Sequence, residues 1–246
     1  MDFNHTEERR MLADSLRRTL ERGASWSDLA ELGVLGALFT EDEGGFGGDG
    51  YDIAVVFEEL GRAGCTLPVL EAGLAGGLLA DCGKSDLVEQ VIGGELRVAL
   101  AHAEPGLRYD IGPITTTANN GTISGRKSVV SAVDEADLLI VSAMDYGTLA
   151  LFSIDPKGAG VNLHTTPSLD GGTVSEVTLD AAPATALGGE ISMLEARLAT
   201  ATLAVCADAV GAIETVKEMT LDYLRTRTQF GVPIGKFQAL QHRMAD

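Results

Sequence analysis

The feature that most constrains this chain is a hydrophobic period that changes twice along its length. From Thr6 to about Val91, apolar residues recur at steps of three and four: Met11, Leu12, Leu16 and Leu20, then Ile53, Val56, Phe57 and Leu60, then Leu70, Leu74, Leu78 and Leu79. That spacing predicts amphipathic helices. Ser25 followed by Asp28 predicts a capped helix start leading through Leu29, Leu32 and Leu35. The run Glu43-Gly44-Gly45-Phe46-Gly47-Gly48-Asp49-Gly50 predicts a break, because glycine in a helix interior costs backbone entropy. From about Arg97 to Asp180 the period shortens towards two. Val98, Leu100 and His102 alternate with small residues, Thr115-Thr116-Thr117 is β-branched, and Asn120-Gly121 is a strong hairpin signal. Leu138 to Val141, Leu149 to Phe152, and Val174 to Leu179 predict further strands, the last ended by Asp180 and Pro183. After Gly188-Gly189 the helical step returns. It runs in one apolar stripe through Leu194, Leu198, Ala201, Val205, Ala209, Ala212, Val216, Met219 and Tyr223, and another helix opens at Phe237. The expectation is an α+β multidomain chain. It comprises an N-terminal helical domain over residues 1–94, a middle β-barrel or sandwich over 95–187, and the start of a C-terminal helical bundle over 188–246.

Charge narrows the possible partners. The 246 residues hold 36 Asp and Glu against 18 Lys and Arg, a formal net charge of −18. Nucleic acid and anionic membranes select the opposite sign, so neither is expected as the main partner. Met1-Asp2-Phe3-Asn4 lacks a basic and then apolar leader, and no apolar run approaches the ~20 residues of a membrane span. Cys65, Cys82 and Cys206 are widely spaced and predict small buried hydrophobes in a reducing compartment. A cytoplasmic protein is expected. His5, His102, His164 and His242 share no metal-ligand spacing, the acidic cluster Glu41 to Glu43 lacks EF-hand spacing, and Gly44 to Gly50 lacks the Lys-Ser/Thr of a phosphate loop.

Near the C-terminal end the charge inverts. Arg225, Arg227, Lys236 and Arg243 face only Asp222 across that stretch. Two explanations remain open: guanidinium forks for phosphate oxygens, or cations placed against a helix C-terminus with an aromatic in the core. Phe230 adds a flat apolar ring and Gln238 a donor and acceptor pair.

Arg227-Thr228-Gln229-Phe230-Gly231-Val232-Pro233-Ile234-Gly235-Lys236-Phe237-Gln238 resembles the signature R-x-x-F-G-x-P-I-x-x-F-Q of the acyl-CoA dehydrogenase family of flavoproteins. Three more segments follow the family's order. Glu41 to Gly48 is similar to P-E-x-x-G-G-x-G, with Thr40 in place of proline. Ala103 to Asp110 is similar to T-E-P-x-A-G-S-D, and Gly125 to Ala132 to G-x-K-x-W-I-T-N. The resemblance implies the family's helical, β, helical fold and FAD as cofactor. It implies that Arg227, Gln229 and Phe230 contact the FAD of a neighbouring subunit, Arg227 at the pyrophosphate, and that Gln238 lies by the adenosine end. Ser131 replaces a threonine whose hydroxyl supports flavin N5.

Departures carry their own implication. Ala103 replaces a Thr or Ser that bonds the flavin ring, Val129 replaces a Trp packed on it, and Arg108 and Tyr109 replace a small Gly-Ser pair on the acyl-CoA route. This pattern resembles divergent subunits of heteromeric acyl-CoA dehydrogenases of actinobacterial steroid breakdown. The implied chemistry is α,β-dehydrogenation of an acyl-CoA thioester, in a homo- or hetero-oligomer, with an electron-transfer flavoprotein-like acceptor. A non-catalytic partner subunit that completes FAD binding and assembly, and an oxidase-like relative, are the alternatives. The catalytic base of most members lies beyond the position of Asp246. Others carry it where this chain has Ala201, and Glu195, six residues away, points to another side of the helix.

Overall fold

A computed structural model describes residues 5–107, 110–112 and 114–245. Helix α1 (Glu7–Leu20) starts at Thr6, whose side chain accepts from the Arg9 N–H. Helix α2 (Trp26–Glu31) opens on the expected cap: Ser25 and Asp28 form a reciprocal capping box. The Trp26 indole N–H donates to Gly94 O at 2.9 Å, tying the end of the helical segment to its beginning. The glycine run forms a tight turn over residues 41–48. A methyl group at Gly45 would lie 2.3 Å from Phe39 O and one at Gly47 2.5 Å from Ala37 O, so the chain can fold back here only without side chains. Helix α3 (Gly50–Ala63) follows, with the Asp49 carboxylate accepting from the Tyr51 and Asp52 N–H groups and Gly64 left-handed at its end. Helices α4 (Val69–Asp81) and α5 (Ser85–Ile92) complete the segment.

Among the described residues, ten strands come next or follow the long helix. Those of the main sheet are β1 (Val98–Ala101), β2 (Thr117–Asn119), β3 (Thr122–Ser131), β4 (Leu138–Asp145), β5 (Thr148–Ile154), β6 (Val161–Pro167), β7 (Thr173–Pro183) and β8 (Thr185–Gly188). Their order is β6-β7-β3-β2-β4-β5-β8, with β1 paired parallel to β4. The predicted Asn120-Gly121 turn joins β2 to β3, both residues at positive φ (48° and 77°) as a two-residue hairpin requires. Three details depart from expectation. The alternation at the start stops at Ala101, leaving His102 outside the strand, and β2 begins only at Thr117. Strand β6 gave no apolar signal because most of its side chains are exposed. Strand β7 runs through Asp180 to Pro183, with Ala181 turned to φ 47°, instead of ending at Asp180.

Helix α6 (Ile191–Thr226) spans 36 residues and lies across α3 and α4. Its contact with α3 is a backbone-to-backbone crossing. A methyl group at Gly61 would lie 1.9 Å from Asp208 O, and one at Gly211 1.9 Å from Glu58 O. That closeness corrects the predicted stripe. The buried face runs through Leu194, Ala204, Ala207 and Gly211, while Val205, Val216, Met219 and Tyr223 are exposed. Large apolar spacing marked the buried face at Leu194 but left it farther along the helix, because small residues make the closest packing there. Cys206 likewise lies exposed on this helix, against the expectation of burial, and all three cysteines are free. An 18-residue window of α6 has mean hydropathy 1.4, long and apolar enough to cross a membrane by length and composition, where the sequence had shown no such run. Here one side of it packs on α3 and α4. Arg197 pins it further, bonding Asp81 at 2.8 Å and also Glu43 in the acidic turn. The β9 (Thr228–Gln229) and β10 (Val232–Pro233) hairpin and helix α7 (Gln238–Ala245) close the described chain.

Candidate functional site

Beneath the two central motif segments lies a buried ion pair. Lys127 on β3 is fully buried, and its Nζ donates to Glu104 Oε1 at 2.9 Å, His102 O at 3.1 Å and Ser142 Oγ at 3.2 Å. Glu104 accepts four further bonds from the N–H and hydroxyl groups of Thr115 and Thr116, at 2.6–3.0 Å. Burial pushes the Glu104 carboxyl up, but these donors outweigh it and hold it down at about 2. Burial pushes the Lys127 ammonium down from its usual range, opposed by the Glu104 bond and charge. A buried charge is tolerable only when every lone pair and proton has a partner, and this pair meets that condition. His102 completes the cluster, with Nδ1 2.8 Å from Ser142 Oγ. Burial, then the Lys127 charge, lowers its pKa, and its buried Nε2 has no hydrogen-bond partner among the described residues. The threonine run Thr115-Thr116-Thr117 was legible as β-branched, yet its first two members serve this carboxylate instead of the sheet.

The same strand carries Val129 to the surface and Ser131 to the edge of a cleft. Between Lys127 and Val130 the β3–β7 register shifts, and Val129 stands 73% exposed at φ 53°. Ala103 lies alongside, its carbonyl accepting from the Ser128 N–H at 2.8 Å, so the main chain holds the two segments together while the Ala103 methyl group offers no donor. Ser131, at the end of β3, lines a cleft between the β segment, α4 and α6, together with Glu71. Arg108 and Tyr109 lie outside the described residues.

Arg227, Gln229 and Phe230 sit together on the β9–β10 hairpin that follows α6, all exposed. Phe230 stands at the turn with φ 52°, 93% exposed, its ring edge-on to Phe237 at 6.1 Å. Gln238 starts α7 and is exposed. Among the described residues, none of the side chains of Arg227, Gln229 and Gln238 makes an intrachain hydrogen bond or ion pair. No described cavity is lined by both Ser131 and the hairpin residues. The predicted contacts therefore fall in two groups, one in the cleft and one on a projecting hairpin. The free donors and exposed ring of the hairpin suit a diphosphate and an aromatic ring system held against it from outside this chain. The acidic turn at Glu41 to Glu43 and the histidines gather no metal-binding group among the described residues.

Residues 9–94 match the family profile described as acyl-CoA dehydrogenase, N-terminal domain, and residues 189–246 match acyl-CoA dehydrogenase, C-terminal domain. Acyl-CoA dehydrogenase IpdE2 of Mycolicibacterium smegmatis is 30% identical over 98% of this chain and 72% of its own length. This chain belongs to the acyl-CoA dehydrogenase family. FAD is the cofactor of that family. Two solved structures share the fold closely. The ChsE4–ChsE5 complex from Mycobacterium tuberculosis superposes with a TM-score of 0.88 at 26% identity, covering 100% of this chain and 74% of that one. A variant of the Tcur3481–Tcur3483 steroid acyl-CoA dehydrogenase gives 0.86 at 30% identity, covering 97% and 72%. The family profiles and these structures confirm the predicted helical, β, helical architecture.

Proposed function

We propose that this chain is a subunit of an FAD-dependent acyl-CoA dehydrogenase that introduces a double bond between the α and β carbons of an acyl-CoA thioester, with domains over 1–94, 95–187 and 188–246. The observation that carries this reading is the β9–β10 hairpin, where Arg227, Gln229 and Phe230 are exposed and the side chains of Arg227 and Gln229 make no hydrogen bond or ion pair among the described residues. On a chain of net charge −18, such a cationic, aromatic projection suits the cofactor of a neighbouring subunit. Arg227 would fork onto the pyrophosphate, Gln229 would bond beside it, Phe230 would cover a ring face, and Gln238 would lie at the adenosine end. Ser131 would give its hydroxyl to the reactive edge of the ring system. FAD, when bound, accepts the hydride that leaves the β carbon. The chain's own share is to orient these groups and to keep water out of the cleft between α3, α4 and α6.

Ala201 lines that cleft and offers no proton acceptor. The group that removes the α proton therefore comes from elsewhere in the assembled protein. A second reading is a partner subunit that completes FAD binding without performing proton abstraction. Ala103 and the exposed Val129 point the same way. The ChsE4–ChsE5 complex, a structural relative at 26% identity, supports a hetero-oligomer, and an electron-transfer flavoprotein-like protein would reoxidise the cofactor.

The test is to purify the assembled protein and follow its visible flavin spectrum. Retained FAD that bleaches on addition of an acyl-CoA supports the dehydrogenase. FAD bound only in the presence of a second subunit, with turnover lost when that subunit's base is removed, supports the partner role. A protein that holds no FAD in any assembly overturns both.

A further inference from the structure

Helix α6 is held at two places far apart along its length, and the β9–β10 hairpin lies beyond both. Its middle crosses α3 at Gly61 and Gly211, where the backbones meet without intervening side chains. Within two turns of that crossing, Arg62 of α3 pairs with Glu214 and, at 3.6 Å, with Glu218, and the Thr215 hydroxyl donates to Arg62 O at 3.0 Å. These bonds cluster around one point. They hold the crossing but leave the tilt of a 36-residue helix to be set elsewhere.

Arg197 supplies the second point, about 21 Å before Gly211 along the axis at 1.5 Å per residue. Its Nε and Nη2 donate to the two carboxylate oxygens of Asp81 at 2.8 Å each, and Nη2 also donates to Glu43 Oε1. The guanidinium lies against the bare backbone of Gly77, where a methyl group would stand 2.9 Å from its Nε and Cζ. Both anchors are themselves fixed. Asp81 ends α4, whose Leu78 and Leu79 are fully buried, and Glu43 Oε2 accepts from the Thr40 N–H and hydroxyl within the glycine turn. Leu194, one turn before Arg197, is also buried, but apolar burial is non-directional and tolerates sliding. A two-pronged bond between guanidinium and carboxylate does not.

The far end of α6 carries the hairpin with it. The Arg227 N–H donates to Tyr223 O at 2.9 Å, and Arg227 O accepts from the Ile234 N–H at 2.8 Å. Gly235 packs so closely on Leu224 O that a methyl group there would lie 2.8 Å from it. The hairpin therefore follows the helix axis. Arg227 lies about 24 Å beyond Gly211, so a tilt of about 5° at the crossing moves it by about 2 Å. A guanidinium bonded to phosphate oxygens tolerates a shift of only about 0.5 Å.

We propose that Arg197 is a positioning residue for the cofactor: clamped to Asp81 and Glu43, it sets the tilt of α6 and thereby the place of the Arg227 guanidinium. The inference rests on the hairpin reading of the previous section. It gives Arg197 no contact with FAD or substrate.

The experiment is FAD release from the assembled holoprotein, followed as the rise of free-flavin fluorescence on dilution. Arg197→Met is expected to speed release fivefold or more and Asp81→Asn threefold or more, while Arg197→Lys, which keeps a charged donor, should fall between wild type and Arg197→Met. In an Arg227→Ala background, Arg197→Met should add twofold or less, because the contact through which it acts is already gone. A loss of structure unrelated to Arg227 would instead add its full factor. Asp81→Asn keeps the proposal testable if the methionine variant fails to fold. A wild-type release rate in folded Arg197→Met or in Asp81→Asn, or full additivity with Arg227→Ala, overturns the assignment and leaves the hairpin reading standing. Unchanged release in Arg227→Ala alone overturns the hairpin reading, and this proposal with it.

Discussion

Replacing Lys127 with methionine should be among the most damaging single changes in this chain. Methionine keeps the length and apolar stem but removes the ammonium that bonds Glu104 Oε1, His102 O and Ser142 Oγ. The magnitude follows from Glu104. Its carboxyl is held at about 2 against an ordinary 4.5, a difference of about 2.5 units. At 1.36 kcal/mol per unit, that is on the order of 3 kcal/mol at neutral pH, supplied chiefly by the Thr115 and Thr116 donors, with Lys127 offsetting the burial of the charge. The depressed folded-state pKa means this contribution is present above pH 4.5 and is lost as pH falls towards 2. Lys127 acts in the opposite sense, because burial lowers its pKa from 10.5 and makes carrying the charge costly below that pH. The two therefore partly cancel in the intact pair but not when one is removed. Breaking a buried pair typically costs about 3–5 kcal/mol, and the Thr115 and Thr116 donors left on Glu104 favour the lower end. Urea unfolding at pH 7 should give a loss of about 3 kcal/mol in Lys127→Met. The double variant with Glu104→Gln should recover at least 1 kcal/mol relative to the sum of the singles, on the order of the coupling expected between contacting groups. A single-variant loss below about 0.5 kcal/mol, the range of ordinary surface substitutions, would refute the reasoning, as would strict additivity of the two changes.

Gly61→Ala should destabilise by at least about 1–3 kcal/mol, since its methyl group would lie 1.9 Å from Asp208 O and must push α6 off α3; a thermal midpoint equal to wild type would count against the close crossing. Asp49→Ala should cost about 1–2 kcal/mol in chemical denaturation, because the carboxylate caps two N–H groups of α3 and pairs with Arg9. Arg227→Ala should weaken FAD retention in the assembled protein by tenfold or more while leaving the unfolding transition within about 0.5 kcal/mol, as the exposed guanidinium makes no hydrogen bond or ion pair among the described residues. Equal FAD content after gel filtration would remove Arg227 from the cofactor's contacts. Acid titration followed by circular dichroism should show the double variant Thr115→Val/Thr116→Val losing part of the wild-type stability decrement between pH 4.5 and 2, since two hydroxyl donors that hold the Glu104 carboxyl down are then gone.

Much of the architecture was readable from local pattern. The change of period from helical to alternating and back marked the helical, β and helical segments, because side-chain periodicity reports which face of an element is buried. Ser25 with Asp28 located a cap, and Asn120-Gly121 a hairpin, because both rest on bonds between residues two or three apart. The hairpin residues Arg227, Gln229 and Phe230 were legible as a motif and as a local inversion of charge. Strand β6 was not, since its mostly exposed side chains need no apolar alternation.

What sequence pattern could not carry were contacts whose partners lie far apart along the chain. Glu71 is one glutamate in the first turn of an apolar helix until β3 brings Ser131 beside it and α6 closes over it. Lys127 and Glu104 read as two motif letters, and only the fold shows them sharing a buried bond with Thr115 and Thr116. The packed face of α6 beyond Leu194 was misassigned for the same reason. Periodicity weighs side chains by size, whereas the crossing at Gly61 and Gly211 is decided by how closely two backbones approach. The sequence by itself thus determined the order and kind of the elements and the family signature they carry, because these are local in the chain. Tertiary structure alone decided which helix face is buried, which charges are paired and where the cleft's polar end lies, because each depends on groups that folding brings together from distant positions.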